Sequence, residues 1–86
     1  MVFKVELVIT YKPGVLNPEE GVIERALRNQ GYDFGKLRKG RYVSYETDVA
    51  TEEDARRQAK EISDKFLANF NLETHHIASI TNVDSN

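Results

Sequence analysis

The chain reads as an α+β domain of ferredoxin-like order, β-α-β-β-α-β, with an antiparallel sheet and two helices on one face. Three observations predict this. Apolar residues alternate from Phe3 to Tyr11, the period of a half-buried strand. Two stretches, 18–30 and 52–69, place apolar residues at helical spacing, each behind a capping side chain. Further strand-like runs cover 32–38, 42–49 and 72–80, with Lys39-Gly40 as a hairpin turn between the first two.

In the first strand Phe3, Val5, Leu7, Ile9 and Tyr11 share one face. Lys4, Glu6 and Thr10 lie on the other with Val2 and Val8, so that second face is not fully polar and invites covering. The stretch Lys12-Pro13-Gly14-Val15-Leu16-Asn17-Pro18 ends the strand and starts a helix. Pro13 cannot donate to a ladder, Gly14 is free to take a positive φ, and Asn17 with Pro18 forms a cap followed by the first helical position. Glu20, three residues after Asn17, suits a capping box. Val22, Ile23, Ala26 and Leu27 make the apolar stripe of this helix, and Gly31 is expected to close it in the left-handed conformation.

The second strand, 32–38, departs from strict alternation at Phe34 and Leu37, with Gly35 between them, which predicts a bulge or an edge. In the third, Val43, Tyr45, Thr47 and Val49 face one side. Thr51 caps the second helix, and Glu52, Glu53 and Asp54 suit the positive end of its dipole. Ala55, Ala59, Ile62 and Phe66 form its expected buried stripe, with Leu67 at the edge. In a regular last strand Ile77 and Ile80 would face opposite ways. The domain is expected over residues 1–80, with 81–86 a flexible polar tail.

Eighty-six residues bury only a modest core, about 60–65% of the unfolded surface. Small α/β domains gain further stability by associating. The chain has no Cys, so neither disulfides nor thiolate chemistry arise, which fits the cytoplasm. The alternating, charged N-terminus is not a signal peptide, and no apolar run approaches a membrane span. A net charge of −2 argues against nucleic-acid binding.

The residues give little support to autonomous chemistry. His75 and His76 are neighbours in a strand and point to opposite faces, so they do not chelate one ion together. No serine sits in an activating elbow, no glycine-rich phosphate loop is present, and the paired acids Glu52 and Glu53 are explained by the helix start. No catalytic, cofactor-binding or metal residues are therefore expected. Lys36, Arg38, Lys39 and Arg41 form a basic cluster that reads as a solvated loop or as a docking site for an acidic surface or a phosphate-bearing ligand. Tyr42-Val43-Ser44-Tyr45 matches half of an RNA-recognition motif, but the first half is one residue short and has an Arg in place of an aromatic.

Three pieces in order carry a family resemblance: Lys12-Pro13-Gly14-Val15-Leu16-Asn17-Pro18 followed by Ala26-Leu27; Gly31-Tyr32 followed by Leu37-Arg38-Lys39-Gly40-Arg41; and Leu67-Ala68-Asn69-Phe70-Asn71-Leu72-Glu73. With these the chain resembles PurS, the small subunit of phosphoribosylformylglycinamidine (FGAM) synthase. It departs from that pattern at Glu20, at Phe70 where the family has Pro, and at His75 where Tyr is common.

The resemblance implies a PurS-like fold and a non-catalytic subunit of a C–N ligase complex in cytoplasmic purine biosynthesis. That complex converts formylglycinamide ribonucleotide, ATP and glutamine to formylglycinamidine ribonucleotide. It implies a homodimer that bridges a large synthetase subunit (PurL) and a glutaminase subunit (PurQ) and assists ammonia transfer. ATP, Mg and glutamine would be used by the complex, with no cofactor on this chain, no nucleic acid and no membrane. Lys12, Pro13, Gly14, Asn17, Arg38, Lys39, Gly40 and Arg41 are the expected contacts with the large partners, while sheet residues pair the two copies. The alternatives are a small-molecule-sensing ACT-like domain and an RNA binder of RRM-like topology.

Overall fold

In a computed structural model, described over residues 1–33 and 35–84, the elements run β1 (Val2–Tyr11), α1 (Pro18–Asn29), β2 (Gly40–Asp48), α2 (Glu52–Ile62), a π-helical turn (Ser63–Leu67) and β3 (Glu73–Asn82). The strands form one antiparallel sheet in the order β2-β1-β3. The α+β class with an antiparallel sheet is the one the chain adopts.

The central strand supplies the core. Val5, Leu7 and Ile9 are fully buried and Phe3 nearly so, as their alternation requires. Each such side chain stabilises the fold by about 1.5–3 kcal/mol over its exposed state. Facing them, Ala55 and Ala59 of α2 are also fully buried, small enough for the helix to lie close on the sheet. Thr47 Oγ1 donates to Gln58 Oε1 at 2.7 Å and fastens β2 to α2.

Irregularities in two elements decide which side chains reach this core. The ladder slips between Glu6 and Leu7: Glu6 pairs Ser79 and Leu7 pairs Ile77, leaving Ala78 as a bulge. Ile77 and Ile80, which a regular strand would send to opposite faces, therefore both pack on the core. At the end of α2 the backbone widens, and Ala68 N–H donates to Ser63 O at 2.8 Å. An α-helix drifts about 40° for every four residues. Along Ala55, Ala59 and Ser63 that drift accumulates, and the wider turn reverses it. Leu67 is returned to the sheet and Phe66 is turned away, 80% exposed. The expected stripe through Ile62 and Phe66 is thus corrected to Ala55, Ala59, Ser63 and Leu67.

Two further expectations are corrected. The described residues of the 32–38 segment form no strand; Phe34 lies outside the described residues. The segment would have had to pair with the outer edge of β2, which stays open among the described residues, and its apolar residues lack the sheet period such pairing needs. Lys39-Gly40 is consequently not a hairpin turn but the entry to β2. The second correction concerns α1. It has the amphipathic pattern expected, yet it buries no residue and has no extended packing against the sheet. The molecule is correspondingly flat and long, 51 × 31 × 15 Å. Beyond Ile80, β3 continues through Thr81 and Asn82, which pair with Lys4 and Phe3.

Candidate protein interface

The turn after β1 is built as its sequence dictates. Val15 N–H donates to Lys12 O at 3.0 Å across Pro13 and Gly14, and Gly14 has φ +85°. Pro at the first central position and a positive-φ Gly at the second define a type II turn. Lys12 N–H donates to Leu72 O at 2.8 Å, tying the turn to the segment before β3. Asn17 caps α1 by accepting from Glu19 N–H at 3.0 Å. At the other end of α1, Tyr32 N–H bonds Leu27 O and Gly31 N–H bonds Arg28 O, with Gly31 at φ +88°, so a Schellman motif ends the helix at the expected residue.

Glu20 does not close a capping box. Its carboxylate accepts from Lys39 N–H at 2.7 Å and lies 3.5 Å from Arg38 Nε. Arg38 also donates to Tyr11 O at 3.0 Å, and Lys39 Nζ pairs with Glu19. Arg41 binds Glu73 at 2.6 Å and Leu67 O at 2.9 Å. The structure thus gathers the two expected contact segments, 12–17 and 38–41, at one end of the molecule. It also shows that three of the four clustered cations are engaged within the chain: Arg38, Lys39 and Arg41 hold the loop to α1 and β3. Gly40 is required here by a close approach, since a Cβ would stand 2.3 Å from Ile9 O.

The turn, the start of α1 and Lys36–Arg38 together wall an open groove of about 650 Å³. Its apolar surface includes Leu16, 89% exposed, and Val22, 58% exposed. Leu16 and Arg25 line this groove and are not among the expected contact residues. An isolated Leu in a turn was the available signal for the first; Arg25 becomes visible only when the loop folds back beside α1.

The sheet face away from α2 carries a polar cluster that sequence reading did not single out. Tyr42 Oη and Ser79 Oγ, the latter at 2.8 Å, donate to the Glu6 carboxylate. Those two bonds, the Tyr42 bond first, hold the Glu6 carboxyl below its ordinary range; the same bond pushes the Tyr42 hydroxyl up. Thr10 Oγ1 lies 3.3 Å from His76 Nε2 on this face, whereas His75, paired opposite Ile9, lies on the α2 side. The two histidines occupy opposite faces, as strand geometry demands. Tyr42 is 61% exposed on the open face, while Tyr45 packs on the core, where burial raises the pKa of its unpaired hydroxyl. The two rings do not form one stacking platform for bases. Among the described residues no three His, Cys, Asp or Glu side chains converge. No helix is long and apolar enough to cross a membrane among the same residues.

An open groove, an amphipathic helix with no fully buried residue and a bare sheet face define a small α+β domain suited to association with other proteins. The family described as "PurS: Phosphoribosylformylglycinamidine (FGAM) synthase" matches residues 4–80, and the chain belongs to it: a PurS subunit of FGAM synthase. It is similar to phosphoribosylformylglycinamidine synthase subunit PurS of Methanothermobacter thermautotrophicus, 33% identical over 69 residues, which span 80% of this chain and 82% of the relative. Methanocaldococcus jannaschii PurS, one of the subunits of formylglycinamide ribonucleotide amidotransferase in the purine biosynthetic pathway, superposes with a TM-score of 0.81 at 27% identity, over 94% of this chain and 98% of that one. A chain in the structure of PurLQS from Thermotoga maritima gives a TM-score of 0.79 at 28% identity, over 90% and 95%.

Proposed function

We propose that this chain is the non-catalytic small subunit of FGAM synthase, acting as a homodimer that bridges a glutaminase subunit and a large ATP-dependent synthetase subunit in the cytoplasm. The observation that carries the reading is the family match over residues 4–80. The likeness to a chain of PurLQS from Thermotoga maritima supports it. ATP, Mg and glutamine are handled by the larger subunits, and this chain binds none of them. Its contribution is geometric. Ammonia released at one centre is lost to bulk water unless the route to the next is enclosed, and a subunit wedged between the two closes that gap. Self-association covers the stripe Ile23, Ala26 and Leu27 of α1, none of which is fully buried within one copy.

The test is reconstitution of the purified synthetase and glutaminase subunits with and without this chain, assayed for FGAM with glutamine and, separately, with ammonium chloride. The glutamine-driven rate falls when the chain is left out and the ammonium-driven rate falls far less. A full glutamine-driven rate without it removes the proposal.

A further inference from the structure

We infer that the groove between the turn, the start of α1 and Lys36–Arg38 receives an acidic segment with an apolar tip, presented by the large synthetase subunit. This rests on the subunit role proposed above and adds the chemistry of the contact and the residues that make it. The recognition cations are Lys12, Arg25 and Lys36; of the basic cluster read from the sequence, Arg38, Lys39 and Arg41 are held by acids of the same chain.

The groove carries positive charge that the chain leaves unmatched. Two acids line the groove, and both are engaged: Glu20 by Arg38 and the Lys39 N–H, Glu24 by Arg28 at 3.4 Å. Lys12, Arg25 and Lys36 line the same groove and have no acidic partner among the described residues. Lys12 rests only over the Phe70 ring, 5.1 Å from its centroid. A chain of net charge −2 therefore concentrates uncompensated positive charge around an apolar floor that includes Leu16 and Val22. Cations around an apolar floor complement a segment whose acids meet the rim and whose apolar side chain fills the middle. A compact phosphate ligand would use the cations and leave the floor wet. The groove wall of α1, Gly21, Val22 and Arg25, is angularly distinct from the Ile23 and Leu27 side assigned to self-association, so both surfaces are usable together.

The experiment measures association of the full chain with the purified large synthetase subunit, glutaminase, ATP, Mg and glutamine being supplied, by interferometry at low and high NaCl. Wild type is compared with R25E/K36E, with L16D, and with K4E/K60E, which alters net charge equally away from the groove. Circular dichroism checks that each is folded. The expected result is that R25E/K36E loses at least about ten-fold in on-rate and most of its salt dependence. L16D dissociates faster, and K4E/K60E behaves as wild type. Equal losses in R25E/K36E and K4E/K60E overturn the inference while leaving the subunit role standing. So does tight binding of tripolyphosphate to wild type that R25E/K36E abolishes. Absence of any association by wild type removes the subunit role and this contact with it.

Discussion

The two helices carry the same kind of apolar stripe and are held in opposite ways. α2 lies on the sheet through buried Ala55 and Ala59. α1 has no fully buried residue and is held at its N-terminal end, by the type II turn and by Glu19 and Glu20 reaching to Lys39 and Arg38. Amphipathic periodicity states that a helix has a face to cover and is silent on what covers it. The packed helix completes a core, while the tethered one offers its stripe outward.

Substitutions at equivalent depth of pattern should separate the two regions sharply. Leu7→Ala, in the core under α2, is expected to cost about 2–5 kcal/mol. That is a large share of the roughly 5–15 kcal/mol that stabilises a domain. Ile23→Ala on α1, at a half-buried position, should cost about 1 kcal/mol or less of monomer stability, while lowering the self-association seen by analytical ultracentrifugation. Urea denaturation at high dilution checks both, and equal costs would erase the distinction between the two regions. Gly40→Ala is next: its Cβ would meet the backbone of Ile9, so the start of β2 must shift, at about 1–3 kcal/mol. Glu20→Gln probes the tether. The hydrogen bond from Lys39 N–H survives in weaker form while the charge facing Arg38 is lost, so the expected effect is on the order of 1 kcal/mol. Hydrogen exchange should quicken in α1 and at Lys39 but not in α2.

The smallest effect lies on the open sheet face. Because the folded-state pKa of Glu6 is lowered, its contribution to stability is complete above the ordinary carboxylate range and is lost as pH falls through the lowered value. Tyr42, raised, contributes below its ordinary pKa and loses that contribution as pH climbs through the raised value. Tyr42→Phe removes the main cause of the Glu6 shift. NMR titration should then find the Glu6 carboxyl nearer its ordinary pKa, and an unmoved titration would discount the bond.

Much of this architecture was legible in the sequence. The alternation of Phe3 to Ile9, the caps at Asn17 and Thr51, the positive φ of Gly14 and Gly31 and the PurS family itself were all readable, because each depends on neighbours a few residues away. What escaped reading depends on the rest of the fold. A basic run such as 36–41 shows no acids beside it, yet Glu19, Glu20 and Glu73 arrive from elsewhere and occupy three of its four cations. Phe66 continued the helical stripe on paper and was turned outward by a change of helical pitch. The 32–38 segment had strand-forming residues without the alternation a sheet edge requires, and its basic end is held to α1 instead.

Ala78 has one more consequence. With it in place, Ser79 and Ile77 already oppose Glu6 and Leu7, which are adjacent, so the third strand is one residue longer than its partner requires. Excising Ala78 should therefore splice the strand into an unbroken run without sending either isoleucine to the wrong side. Deletions inside a sheet are ordinarily ruinous, but here a shortened chain should still fold, straighter along that margin.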